Sequence, residues 1–209
     1  MSGYFPVLLD LAGRACLVVG GGAVAEGKVA SLLAVQARVT VVSPTLTARL
    51  HALAAAGRIQ SLRRAYRHGD LAGHQIAFVA TDDPDVSASV SAEGRARGVW
   101  INAADEPARC DFILPSVIRR GRLVVAVSTG GASPTAARAI RLELEAYLST
   151  EHAMLVELAA EVRGDLRQRG IRVDGARWRR VLDGGLRRLI ARGDHAKARA
   201  RLARGLGAA

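Results

Sequence analysis

Gly20-Gly21-Gly22-Ala23-Val24-Ala25, set directly after the apolar run Ala15-Cys16-Leu17-Val18-Val19, constrains this chain more than any other feature of its sequence. The apolar run has the character of a buried parallel strand. From Ala23 to Leu33 the pattern turns helical, with Val24, Val29, Leu32 and Leu33 apolar and Glu26, Lys28 and Ser31 polar. The glycines therefore fall in a G-x-G-x-x-A spacing between a strand and a helix. Gly20 suits the tight turn, Gly22 lets the backbone approach a pyrophosphate, and Ala25 permits close helix packing. The helix start adds unpaired N–H donors for phosphate. A purely structural glycine turn is the alternative, and the strand and helix on either side favour nucleotide binding.

The rest of the chain repeats this rhythm. Val7–Leu9 is a further short apolar run, and Arg38–Val42 is a β-branched strand stopped by Ser43-Pro44, with a helix over Leu46–Ala56. Arg58–Leu62 is a short strand and Gln75–Ala80 a stronger one, ending at Thr81-Asp82-Asp83-Pro84. A helix over Asp85–Arg97 closes at Gly98, and Val99–Ala103 starts another strand. Strands alternating with helices predict an α/β fold with a Rossmann-like doubly wound parallel sheet. Beyond Phe112 come an apolar strand over Leu123–Ser128 and Ser133-Pro134, placed as a capping Ser and first-turn Pro for a helix over Thr135–Leu148. After Ser149 the pattern is wholly helical, over Glu151–Arg169, Gly175–Ala191 and Asp194–Ala203. The expected organisation is a nucleotide-binding domain over 1–113, a connecting segment over 114–148 and a small helical domain over 149–209.

The net charge of +11 favours polyanionic partners: nucleic acid, acidic lipid or a substrate with many carboxylates. A merely solvated Arg-rich surface is the plain alternative. No stretch has the length and apolarity of a membrane span, and the N-terminus lacks a basic leader, so a soluble cytoplasmic protein without membrane contact is expected. Cys16 and Cys110 form neither a disulfide framework nor a zinc pattern, and His51, His68, His74, His152 and His195 have no close ligand spacing. No resident metal is expected.

Ligands of an open α/β sheet sit at the carboxyl ends of its strands. Three such ends carry small or polar residues: Gly20–Gly22, Thr81-Asp82-Asp83 and Asn102–Glu106. Asp105 is a candidate general base there, against the plain reading of a turn Asp before Pro107. The end of the second strand, where a carboxylate usually holds the ribose 2′-hydroxyl, has Ser43-Pro44-Thr45. That turn has no Arg for a 2′-phosphate either, which favours NAD over NADP. A second glycine cluster, Ser128-Thr129-Gly130-Gly131-Ala132-Ser133-Pro134, precedes Arg138 and Arg141 and suits carboxylate or phosphate recognition. The competing reading pairs those arginines with Glu143 and Glu145 along one helix.

Taken in order, the blocks Phe5–Leu11, Leu17–Glu26, Gly69-Asp70-Leu71 with Ala80–Asp83, Asn102–Pro107 with Asp111–Pro115, and Ser128–Arg141 resemble the precorrin-2 dehydrogenase family, including the N-terminal module of siroheme synthase. The S-T-G-G-A-S-P block followed by A-A-R-A-I-R is the most specific of them. The resemblance implies NAD-dependent oxidation of precorrin-2 to sirohydrochlorin, a polycarboxylate tetrapyrrole as substrate, and a homodimer joined through residues 114–148. Some members also insert ferrous iron, for which a divalent ion would be a transient partner. The family's essential aspartate falls on Asp105. Its cofactor contacts fall on Gly20, Gly22, Ala23 and Val24, on Ser43, Pro44 and Thr45, and at the strand end on Thr81 and Asp82. Substrate contacts are expected at Ser128, Thr129, Gly130, Ser133, Arg138 and Arg141.

This chain departs from the family pattern at Gly27, where an Arg is usual, at Gln36, where a Gly is common, and at Ser87, where an Asn is common. A different class of function also fits parts of the sequence: an NAD(H)-sensing regulator whose Arg-rich tail binds nucleic acid. Against it stand the lack of a helix-turn-helix signature, an aromatic content of only 4% and the two unexplained blocks at Asp105 and Ser128–Pro134. An enzyme without a nucleic-acid partner is therefore expected. A dehydrogenase acting on another acidic metabolite is the third reading.

Overall fold

The computed structural model describes residues 3–207. The chain divides into two compact units, Met1–Leu114 and Pro115–Ala209.

In the first unit, strands β1 (Ala15–Val19), β2 (Arg38–Val42), β3 (Gln60–Leu62), β4 (Ile76–Val79) and β5 (Trp100–Ala103) form one sheet in the order β3-β2-β1-β4-β5. All four pairings are parallel, as the strand-helix alternation predicts. Side chains along β1 alternate between two cores because successive residues leave opposite faces of a strand. Cys16 and Val18 pack with Val39, Val41 and Phe78 against α1 (Ala23–Leu33) and α2 (Ala48–Ala55), through Ala25, Val29, Leu32 and Leu50. Leu17 and Val19 pack with Val42, Val79 and Ile101 against Val90 of α3 (Pro84–Arg97) and against Leu71 and Tyr66. Burial on both faces explains why β1 reads as a continuous apolar run.

Helix ends follow local chemistry. The Asp83 side chain accepts from the N–H groups of Asp85 and Val86 to start α3, Pro84 fills the first turn, and Gly98 closes the helix at φ 68°. No helix spans the link from β3 to β4. A buried carboxylate organises it instead: Glu93 accepts from the Tyr66 hydroxyl at 2.5 Å and the Gly69 N–H at 2.9 Å, and pairs with Arg97 at 2.6 Å. Burial alone would raise its pKa, but these donors and His68 outweigh that and hold it below the usual carboxylate range.

The second unit joins an antiparallel hairpin, β6 (Ser116–Arg120) and β7 (Leu123–Val127), to α4 (Pro134–Tyr147), α5 (Thr150–Gln168), α6 (Gly175–Val181), α7 (Gly184–Ala191) and α8 (His195–Leu206). Ser133 caps α4 through the Ala136 N–H, as its place before Pro134 predicts. Val162, Leu166, Leu186, Ile190, Ala198, Leu202 and Leu206 form the helical core.

Val7–Leu9 is an irregular, exposed segment outside the sheet. One expectation needs correction. The helix expected over Gly175–Ala191 is two helices, because Asp183 accepts from the Leu186 N–H and so caps a new helix just before Gly184-Gly185. Among the described residues no helix is long and apolar enough to cross a membrane.

The departures at Gly27 and Gln36 now have a physical meaning. Gly27 lies inside α1 with nothing within 4 Å of the position a Cβ would take, and Gln36 is held at φ 60°, where glycine is at ease. Gly27→Ala and Gln36→Gly should each raise stability by about 1 kcal/mol in urea denaturation. Gly94→Ala should do the reverse despite its helical position, by about 1–3 kcal/mol. A Cβ there would meet Ile101 at 2.4 Å.

Candidate functional site

The chain leaves β1 to build one side of the sheet and returns through β4 to build the other, so the order of strands reverses between β1 and β4. Crevices for ligands open at such a point, outside the carboxyl ends of the strands. A crevice lies there, lined by Val24, Ala80, Thr81, Asp82, Asp83, Ala104, Asp105 and Glu106. The structure thus brings together Val24, Thr81, Asp82 and Asp105, which the sequence places in three separate blocks.

The glycine turn leads into Val24, which lines the crevice. Gly20 has φ 120°, and a Cβ on it would fall 2.0 Å from the Ala80 carbonyl oxygen. A Cβ on Gly21 would fall 1.9 Å from the Thr45 carbonyl oxygen and 2.8 Å from Ser43 Oγ. These two glycines let the ends of β1, β2 and β4 meet. Gly22 differs, since open space surrounds the position its Cβ would take, and it precedes α1 with no side-chain cap. Exposed Gly22, Ala23 and Val24 therefore present the first-turn N–H groups of α1 outward, while Ala25 is fully buried against the sheet. An uncapped helix start beside an open glycine fits a pyrophosphate. Ser43 is buried and Pro44 and Thr45 are exposed, and none of the three is among the residues that line the crevice.

A loop that carries Asp105 lines the crevice as well. Its ends close through Ile101 and Asp111, with the Asp111 N–H bonded to the Ile101 carbonyl and the Ile101 N–H to Asp111 Oδ2, both at 2.8 Å. Inside, Cys110 Sγ accepts from the Ala103 N–H at 3.2 Å and lies 3.2 Å and 3.4 Å from the carbonyl oxygens of Ala103 and Glu106. Burial pushes its thiol pKa up, which keeps it a neutral hydrogen-bonding group. Glu106 bonds the buried Ser87 hydroxyl and pairs with Arg109 at 2.8 Å, and Arg109 donates to the Pro84 carbonyl at 3.0 Å. Asp105 sits at the tip of this loop, exposed and at φ 60°. Its carboxylate has no hydrogen-bond or ion-pair partner among the described residues.

Below the loop lies a lysine whose role the sequence reading missed. Lys28 reaches from α1 to 3.4 Å from Asn102 Oδ1 and sits 5.6 Å from the centre of the Phe78 ring. Burial lowers its pKa, an effect that Cys110 and Asp105 oppose. The Asn102 amide also donates to the Phe112 carbonyl at 3.0 Å. The signal was present in sequence as a lysine three residues after Ala25 and four before Leu32, on the inward side of α1. Ser87 had no readable signal, since its partner Glu106 lies on a different element.

In the second unit, the loop Ser128–Ser133 is organised from within. Thr129 Oγ1 bonds the Ser133 N–H and carbonyl, both at 3.0 Å, Ser128 Oγ accepts from the Gly130 N–H, and Ser133 Oγ caps α4. Arg141 pairs with Glu145 one turn along α4, whereas Arg138 is exposed with no such partner among the described residues. The helix-pairing reading of these arginines thus holds for Arg141 with Glu145. Among the described residues no group of three or more His, Cys, Asp or Glu is gathered as metal ligands.

A non-glycine residue at φ 60° costs about 1–3 kcal/mol and persists only where its surroundings impose it. Asp105→Gly should therefore stabilise the fold by about 1 kcal/mol in thermal or urea unfolding. Unchanged or lower stability would mean that the Asp105 side chain holds the loop together.

Comparison with known proteins agrees with this geometry. Residues 7–116 match the family described as "Putative NAD(P)-binding", and residues 120–147 match the central segment of sirohaem biosynthesis proteins. A siroheme synthase of Thioalkalivibrio sulfidiphilus is 40% identical over 205 residues, covering 97% of this chain and 42% of the relative. One from Nitrosococcus oceani is 39% identical over 197 residues, covering 93% and 42%. The chain thus spans about two-fifths of the length of these curated relatives. The solved structure of SirC, precorrin-2 dehydrogenase, superposes with a TM-score of 0.77 at 27% identity, covering 95% of this chain and 100% of that one.

Proposed function

The chain belongs to the NAD(P)-binding family that spans residues 7–116, and on that premise we propose that it oxidises precorrin-2 to sirohydrochlorin with NAD as acceptor. One observation carries this reading: an uncapped helix start beside an open glycine and an unpartnered carboxylate on strained backbone face one crevice at the reversal point of the sheet. The S-T-G-G-A-S-P block and the likeness to SirC support the tetrapyrrole as substrate.

In this reading Gly20 and Gly22 shape the turn and the N–H groups of Gly22, Ala23 and Val24 hold the pyrophosphate, with the dipole of α1 offsetting its charge. Ser43, Pro44 and Thr45 receive the adenosine ribose, and Thr81 and Asp82 border the nicotinamide end. NAD, when bound, accepts the hydride that the tetrapyrrole gives up. Asp105 takes the proton lost with it and passes it to water, so the substrate loses two electrons and two hydrogens in all. Lys28 and Asn102 brace the loop from below, and Ser87, Glu106, Arg109 and Cys110 fix the height of the carboxylate. Ser128, Thr129, Gly130 and Ser133 shape a loop for the substrate, and Arg138 offers a guanidinium to its carboxylates. Ferrous insertion is a second activity open to the same carboxylate, the ion being a substrate.

The proposed partner of residues 114–148 is a second copy of the chain. Ile140, Leu144 and Tyr147 form a helically spaced apolar row on α4 and are 44%, 36% and 67% exposed. The wild type should sediment as a dimer at micromolar concentration and Ile140→Asp as a folded monomer; a monomeric wild type would refute the assignment.

The activity itself is tested by anaerobic NADH formation from enzymatically generated precorrin-2. The wild type should produce NADH, and Asp105→Ala should lose about 100-fold or more in rate while still binding NADH. Ferrous ion added afterwards reads out metal insertion as loss of sirohydrochlorin. Folded protein that binds NADH but yields none from precorrin-2 would favour the sensor reading over the enzyme.

A further inference from the structure

The second unit gathers arginines from two helices around one cavity. Arg180 and Val181 of α6 line it together with Arg201, Arg204 and Gly205 of α8. A glycine brings the two helices this close. A Cβ on Gly205 would fall 2.5 Å from Val181 Cγ1, so any other residue there would push α8 off α6 and draw the guanidiniums apart. Arg177, on the same helix as Arg180, is already engaged, since its Nε donates to the Gly205 carbonyl at 2.8 Å and so satisfies one of the last carbonyls of α8.

The lining arginines outnumber their counter-charges. Asp183 Oδ2 pairs with Arg201 at 2.7 Å, while its Oδ1 accepts from the Leu186 N–H at 2.8 Å as the cap of α7. Gly185 makes room for that pair, because a Cβ on it would fall 2.9 Å from Arg201 Nη2. Both oxygens of Asp183 are therefore spent. Arg180 and Arg204 are exposed, and neither side chain has a hydrogen-bond or ion-pair partner among the described residues. Guanidiniums brought together from two packed helices repel one another, and a bound anion relieves that repulsion. The lining has no aromatic residue, so it offers no face on which a nucleobase or a tetrapyrrole ring could stack. It suits a compact, multiply charged oxyanion, which guanidiniums grip through paired charge-assisted hydrogen bonds.

We propose that the cavity between α6 and α8 binds the diphosphate group of a small ligand, with Arg180 and Arg204 as its main contacts and Arg201, held by Asp183, as a third. Two unspent guanidiniums provide one for each phosphoryl group. All the residues belong to the second unit, and the proposal does not rest on the dinucleotide reading of the crevice.

Calorimetric titration of the full-length protein with inorganic pyrophosphate, with NADH present to occupy the crevice, tests it. The wild type should take up one equivalent per chain with a Kd below about 1 mM at low salt. Arg180→Ala and Arg204→Ala should each weaken pyrophosphate by about tenfold. Arg187→Ala, which removes an exposed arginine of α7 outside the lining, should stay within about twofold. Asp183→Asn keeps the capping oxygen but loses the competing charge, and should tighten binding by about threefold. ATP that binds as well as pyrophosphate assigns the group to a nucleotide, and preference for pyrophosphate assigns it to a free diphosphate. No uptake at about 1 mM overturns the proposal, as does a loss shared equally by Arg187→Ala, which would mean diffuse charge. Displacement of pyrophosphate by citrate or by duplex DNA at lower concentration overturns it too, in favour of a carboxylate or a nucleic-acid surface. A folded wild type that fails to bind NADH refutes the dinucleotide reading instead, and the arginine variants still decide this one.

Discussion

The approach of the Gly20 backbone to the Ala80 carbonyl is the constraint on which the crevice depends. With a Cβ there only 2.0 Å from that oxygen, any other residue would force the end of β1 away from the end of β4. The same turn is tied to the end of β2 through Gly21, which has no room for a side chain beside Thr45 and whose carbonyl accepts from the Thr47 N–H at 3.0 Å. Three strand ends converge because two consecutive residues lack side chains. Gly22 serves a different end, as its missing Cβ leaves open space over the start of α1 instead of relieving a clash. The three glycines thus split into two that close the backbone and one that leaves it approachable.

The Asp105 loop shows how a small segment is made to hold an unfavourable conformation. Its bonds come from three directions: β5 through Ile101 and Ala103, α3 through Ser87 and the Pro84 carbonyl, and the loop's own Cys110 and Arg109. Glu106 has both carboxylate oxygens engaged, and Asp83 is occupied as a helix cap. Of the acidic residues at the mouth, Asp82 and Asp105 alone lack a hydrogen-bond or ion-pair partner among the described residues. Asp105 also has the left-handed backbone. The departure at Ser87 is absorbed in the same way, because a short hydroxyl reaches Glu106 from a fully buried position.

Much of this was legible in the sequence because it is local. The G-x-G-x-x-A turn, the cap Ser133 before Pro134, the stop at Gly98 and the two-faced burial of β1 depend on residues within one helix turn or one strand of each other. What escaped was set by register or by distant packing. Nothing near Cys110 in the sequence marks it as a clamp on Ala103. The break at Asp183 escaped for a subtler reason. The apolar spacing continues across it, and only the capping bond to the Leu186 N–H reveals that one run is two helices.

The charge has a comparable division between what composition implies and what pairing decides. Residues 170–209 hold eleven Lys and Arg against three Asp, which accounts for +8 of the chain's +11. Two of those aspartates, Asp174 and Asp183, spend their oxygens on helix N-termini, and Asp183 pairs with Arg201 besides. Caps are needed wherever short helices follow one another, so the acidic residues are fixed by architecture and leave most of the arginines to solvent or to an anionic ligand. The same logic separates Arg138 from Arg141. An i,i+4 glutamate neutralises Arg141 within its own helix, whereas Arg138 has no acidic residue at that spacing. Net charge thus overstates what is available at any one place, and the geometry of caps and helix pairs determines which cations stay unpaired.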